Sequence, residues 1–310
     1  MKKYLYLISL LLITFIVILN SNEIIECIKF SFDLCINNLF PSFIPFMLLS
    51  NILIKYNFTE ELSKIFKPLM KIFKVNNNSS FAFIMSIFCG TPTNSIFINN
   101  LLNNELIDIE DAKNCLNFCH FTNPLFILGT IGYSFLGSKE LGLKILISHY
   151  IGAIIIGLFN KRKSNYKFII TKEKKYKSNN FFIILKESIN KTIESLLLIL
   201  GVITFFIIIT TLLNQILNLN NNFKFIYGLV EMTQGLKYLS ISNLSIGIKT
   251  IVVTFLISFG GISIHMQVFS IIDNKKIRYL PYLISRIKHG IVSSIIIYIL
   301  TNFHNLFLIH

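Results

Sequence analysis

Apolar residues in this chain come in long blocks separated by short polar stretches. The blocks lie at 4–19, 24–56, 80–103, 112–136, 141–159, 181–217, 247–272 and 290–308. Most approach or exceed the ~20 residues that cross a ~30 Å hydrocarbon core as a helix. The pattern predicts an all-α polytopic membrane protein. Two blocks are interrupted. In SIFCGTPTNSIFI, residues 86–98, the apolar run is broken by Gly90, Thr91, Pro92, Thr93 and Asn94. In SFGGISIHMQVF, residues 258–269, Gly260 and Gly261 take the same part, with Ser263, His265 and Gln267 as polar partners. Glycine and proline break helices. At membrane depth the freed backbone groups need buried protein or a water-filled cavity to satisfy them. Paired breaks build the substrate site in secondary transporters, with a plain Gly/Pro kink as the alternative. Asn123-Pro124 forms a further polar break, followed by Gly129 and Gly132, which allow close helix contact.

The order long helix, broken helix, spanning helix occurs twice, over 24–136 and 181–310. Glu26 and Asp33 recur as Glu187 and Glu194 at an offset of 161, and Gly90 recurs as Gly260 at an offset of 170. These spacings predict two repeats, inverted relative to each other, each with a long helix, a broken or re-entrant helix and a spanning helix. The broken segments fit either re-entrant hairpins or broken spanning helices. Residues 1–23 read as an uncleaved N-terminal span, because LNSNE offers no small-residue cleavage site. Residues 137–180 form a connecting span and a basic loop. Asp33 and Glu194, deeper than Glu26 and Glu187, are candidate intramembrane ionisable groups. Asp108 or Asp111 is placed to cap the next helix.

Charge sharpens the orientation. Of 310 residues, 53% are hydrophobic and 14% charged, and the net charge is +14. Soluble domains carry roughly 25% charged residues, and the mean hydropathy here is +0.66. The basic residues lie mostly between apolar blocks, so they face anionic lipid rather than nucleic acid. Residues 161–177 hold eight Lys/Arg and one Glu and mark the cytoplasmic side. Lys55, Lys64, Lys67, Lys71 and Lys74 read as a second basic cytoplasmic loop. Lys275, Lys276, Arg278, Arg286 and Lys288 fall on the opposite side unless part of that segment is buried. Cysteines 27, 35, 89, 115 and 119 read as small core residues. Cys115, Cys119 and His120 lack a fourth ligand for a metal, and His149 reads as a packed histidine. No nucleophile elbow, P-loop or HExxH motif occurs, so no catalytic residues and no cofactor are expected.

Three of these segments, FGGISIHMQVFSI, CGTPTNSIFI and FTNPLFILGTIG, resemble the YlbJ family of sporulation integral membrane proteins. That family is similar to the wider group of nucleoside-recognition gate-domain membrane proteins. The resemblance runs from about residue 25 to 300 and is most specific at FGG-x-S-x-H-x-Q. The family's first break is closer to G-Y-P-T-G, where this chain has Gly90 to Asn94. Family members often carry Gly before the second proline, where this chain has Asn123. The resemblance implies an endospore-forming bacterium and a multi-pass protein of the cell membrane. It further implies a role in making the spore and its cortex, alongside other sporulation proteins. Gate-domain kinship implies a small polar solute, or alternatively a membrane scaffold.

Overall fold

The computed structural model describes residues 2–56, 58–159, 180–272 and 274–306. The basic loop at 161–177 lies outside the described residues. Every regular element among the described residues is helical. Five helices are long and apolar enough to cross a membrane: Ser21–Lys55, Lys139–Phe159, Phe181–Leu217, Ile246–Ile271 and Tyr279–Asn302. The protein is therefore an all-α, multi-pass membrane protein.

A helix at Lys2–Leu19 (α1) leads into Ser21–Lys55 (α2), which is 35 residues long. Pro41 and Pro45 lie within α2, and proline cannot donate to the carbonyl one turn back. A π-helical turn at Cys35–Leu39 widens the helix just ahead of Pro41, with Phe40 N–H reaching Cys35 O. The counterpart long helix is Phe181–Leu217 (α10), of 37 residues. The two run antiparallel, joined at successive depths by short polar side chains. Cys27 Sγ donates to Thr211 Oγ1 at 2.9 Å, and Ser31 Oγ meets Thr204 Oγ1 at 2.8 Å. Further along, Asn51 Nδ2 donates to Thr192 Oγ1 at 3.2 Å, and Lys55 pairs with Glu187. Small hydroxyls and amides of this kind join helices where lipid removes the hydrophobic drive.

The segment expected as a basic loop is helical, at Phe58–Ile65 (α3) and Lys67–Phe73 (α4). Leu62, Met70 and Phe73 point into the core, while Lys64, Lys71 and Lys74 stay exposed. Phe73 stacks on Phe118 with ring centroids 4.4 Å apart. Helices Ser79–Cys89 (α5) and Thr93–Asn103 (α6) form a hairpin. Phe81 and Phe97, on opposite arms, meet edge to face at 5.6 Å. Had the helix run straight on, those rings would be roughly 24 Å apart. The first break is thus a fold-back. Ile109–Phe118 (α7) starts at Asp108, whose carboxylate accepts Asp111 N–H at 2.7 Å in a capping box.

The π-helical Phe126–Phe135 (α8) leans on Lys139–Phe159 (α9). They cross at two glycines, where a Cβ on Gly132 would lie 2.7 Å from Gly142 Cα. Gly132→Leu should therefore cost about 3 kcal/mol by overpacking, read as a lowered thermal midpoint by circular dichroism in detergent. Gly129, by contrast, faces open space, so the close contact expected there is absent. A short turn at Lys224–Leu229 precedes Met232–Ser240 (α11). Ile246–Phe259 (α12) and Gly261–Ile271 (α13) make up one candidate span of 26 residues. The second break thus falls within one candidate span, unlike the first. Tyr279–Leu306 (α14) packs against α9 and α12. The apolar core has two halves, and Tyr150 and Ile264 border both.

Candidate functional site

The hairpin tip is held by the non-helical segment 119–123. Gly90 has φ +75° and ψ −178°, a conformation open essentially to glycine. Thr91 N–H donates to Phe121 O at 2.8 Å, and Asn94 Nδ2 donates to Cys119 O at 2.7 Å. Pro92 follows a cis peptide bond and precedes Thr93, the first residue of α6. The carbonyls orphaned at the end of α5 also find donors. Tyr150 OH donates to Ile87 O at 2.8 Å, and Asn123 Nδ2 donates to Phe88 O at 2.8 Å. Asn123 also donates to Ser42 O at 3.0 Å, and its Oδ1 accepts Leu125 N–H at 2.8 Å. One asparagine thus ties α2, α5 and the start of α8 together, as burial of backbone groups demands.

The second break is built on two left-handed glycines, Gly260 at φ +91° and Gly261 at φ +74°. A Cβ on Gly261 would lie 3.1 Å from both Gly228 O and Met232 N. Ser263 N–H donates to Val230 O at 2.9 Å. The turn before α11 therefore cradles this break, with buried Glu231 in that turn capping α11. His265 Nε2–H donates to Phe259 O at 2.8 Å, and Nδ1 meets Tyr279 OH at 3.1 Å.

The two breaks touch one imidazole. His120 Nδ1 lies 3.4 Å from Thr91 Oγ1 and 3.4 Å from Tyr282 OH. On its other side, a Cβ on Gly260 would fall 3.0 Å from the His120 ring. Thr122 Oγ1 donates to Ile257 O at 3.4 Å, so segment 119–123 bridges both broken pairs. The arms after the breaks, α6 and α13, also pack against each other. On them Thr93 Oγ1, Asn94 Oδ1 and Gln267 Oε1 are buried and find no hydrogen-bond partner among the described residues. Ser263 Oγ and Arg286 Nε, close by, are in the same state, and buried polar atoms without a partner mark a place for a ligand or ordered water.

Beside His120 lies Arg286, which is 0% exposed. Its Nη1 donates to His289 Nδ1 at 3.2 Å, and its Nη2 donates to Asn117 O and to Ser285 Oγ. The guanidinium lies 5.3 Å from the centre of the Tyr282 ring. No carboxylate pairs with it among the described residues. His289 Nε2–H donates to His149 O at 2.9 Å. His149 Nε2 in turn accepts Thr122 N–H at 2.9 Å, and Nδ1 meets Ser258 Oγ at 2.8 Å. A cavity of about 570 Å³ opens onto this cluster. Lys113, Lys275, Lys276 and Arg278 line it, together with Asn117 and Tyr282, two of the four neighbours of Arg286, while Arg286 itself lies behind them. One of these four cations, Lys113, is paired with Glu110.

The acidic candidates are elsewhere. Asp33 is exposed on α2 and accepts from Asn37 Nδ2 at 2.6 Å, and Glu194 is exposed on α10. Neither faces the interior. Arg286, His120, His149, His289 and Tyr282 are the groups the sequence reading passed over as a site. A signal was present: Tyr282, Ser285, Arg286, His289 and Ser293 follow helical spacing along one stripe of α14.

Among curated proteins, the chain is similar to the sporulation integral membrane protein YlbJ of Bacillus subtilis (strain 168). The two are 24% identical over 299 residues, covering 84% of this chain and 73% of the relative. This similarity supports assignment to the YlbJ family. No protein-family model matches the chain, and no solved structure matches it. Asn123 stands where YlbJ-family members often have glycine, and its four hydrogen bonds are what this chain gains there.

Proposed function

We propose that this chain serves endospore formation, including the spore cortex, by moving or gating a small anionic solute across a bacterial membrane. The relative's name supports the sporulation role. Arg286 carries the anion reading. A guanidinium removed from water without a carboxylate is costly, and it persists where a negative ligand will meet it. The basic cavity supports the same reading, because clefts lined with one sign of charge concentrate counter-ions. The two helix breaks beside Arg286 supply further polar atoms, in the manner of transporter sites near a repeat interface. The antiparallel long helices and the repeated element order support an inverted duplication. In this reading the fold-back of the first break and the broken helix of the second are a divergence between the halves.

Gly90, Thr91, Pro92, Thr93, Asn94 and Asn123 would shape one wall of the solute site, and Gly260, Gly261, Ser263, His265 and Gln267 the other. Arg286 would bind the anionic group. Asp33 and Glu194, on the outside, have no part in it.

The test is complementation in a spore former lacking its own copy. Lys275→Glu/Lys276→Glu should cut heat-resistant spores by about tenfold or more at normal membrane levels, because both reversed charges line the cavity. Full heat resistance would count against the anion reading and favour a scaffold.

A further inference from the structure

We infer that His120 binds a proton together with the anion, making the protein a proton–anion symporter. The inference rests on the anion reading above and adds the coupling ion to it. Four histidines cluster around Arg286, and their hydrogen bonds separate them. His149 Nε2 accepts a backbone N–H from Thr122, and His289 Nδ1 accepts from Arg286. Both donors are obligate, so a proton added to either nitrogen would face another N–H. His265 donates Nε2–H to Phe259 O and meets Tyr279 OH through Nδ1, and of the two breaks it touches only the second.

His120 differs. Its Nδ1 faces two hydroxyls, Thr91 and Tyr282, each at 3.4 Å, and hydroxyls can donate or accept. Thr91 Oγ1 also lies 3.2 Å from Phe121 O, to which its proton can go. Its lone pair is then free to accept Nδ1–H. The other edge of the ring lies against Gly260. With Nε2–H as the resting tautomer, a proton added at Nδ1 finds a hydroxyl oxygen to accept it, and it does so between the two breaks.

The charged and titratable groups facing it are Arg286, His289 and Tyr282 from α14, His149 from α9 and His265 from α13. Of these Arg286 is cationic, three are imidazoles and one is a phenol. An imidazolium and a guanidinium repel each other here, with the His120 and His289 rings 6.0 Å apart and Arg286 bonded to His289. A bound anion cancels that repulsion. Anion binding therefore draws a proton from water onto His120, and anion release returns it. Linkage is reciprocal, so falling pH should tighten anion binding.

The experiment uses the full chain in detergent micelles. Sulfate, succinate and phthalate, all fully ionised at pH 7.5, are titrated by calorimetry in two buffers of different ionisation heat. Wild type should take up close to one proton per anion bound, with affinity rising as pH falls. His120→Gln and His120→Asn should bind the anion with no proton uptake. Binding without proton uptake in the wild type overturns the proposal and leaves the anion reading standing. Uptake that survives in His120→Gln but vanishes in His265→Gln assigns the proton to the wrong ring and overturns it as well. No binding of any of the three anions overturns the anion reading and the proton site with it.

Discussion

Replacing Arg286 with glutamine is expected to abolish function while leaving the protein folded in the membrane. Glutamine keeps the apolar stem and a polar amide but is two bonds shorter, so it gives up the one bond from Nη2 to Asn117 O at the end of α7. It removes the guanidinium, the permanent cation of this cluster. Truncating a buried charged partner of a ligand typically costs 2–5 kcal/mol, so anion affinity should fall ~100-fold. Stability should move the other way or not at all. A buried cation with no carboxylate is a burden on the fold, and replacing such a charge by a neutral group is often neutral or stabilising. Spore heat resistance should be lost, with membrane levels by blot and the thermal midpoint in detergent at or above wild type. Arg286→Lys keeps the charge but not the planar fork, and partial function is expected from it. Normal spores from Arg286→Gln at wild-type levels would remove the basis for an anion site.

The helix breaks were legible because glycine and proline inside an apolar run have few other meanings. The cap at Asp108 was legible for a similar reason, since an acidic residue ahead of a helix satisfies orphan amides. Hairpin and broken span were not separable, because both put polar residues between two apolar arms. Only the Phe81–Phe97 contact, a tertiary fact, distinguishes them. Asp33 and Glu194 misled because depth along a helix says nothing about which face a side chain takes. Arg286 was hidden by the rule that basic residues beside a span belong to a loop. It lies eight residues past Arg278, well inside a helix that begins at Tyr279. His120 was weighed as a metal ligand because it sits beside two cysteines in sequence. Its role follows instead from Thr91, Gly260 and Tyr282, which are distant in the chain.

Gly90→Ala should be among the most destructive single-methyl changes in the chain. Two independent penalties fall on it. At φ +75° and ψ −178° a side chain is strained whatever the space around it, at ~1–3 kcal/mol. The added Cβ would also lie 2.7 Å from Asn123 N and 3.3 Å from Phe121 O. Both are backbone atoms, and neither can swing aside. Segment 119–123 would have to move, and with it the Thr91 and Asn94 hydrogen bonds, the Asn123 cap and the seat of His120. Overpacking adds 1–3 kcal/mol, for a total of about 4 kcal/mol. Gly129→Ala is the control, since a Cβ there meets nothing within 4 Å. Thermal unfolding in detergent should show a large drop for Gly90→Ala and little change for Gly129→Ala, and spore heat resistance should fall only in the first. Equal midpoints for the two variants would show that the hairpin tip does not press on segment 119–123. The convergence of both breaks on His120 would then lose its mechanical basis.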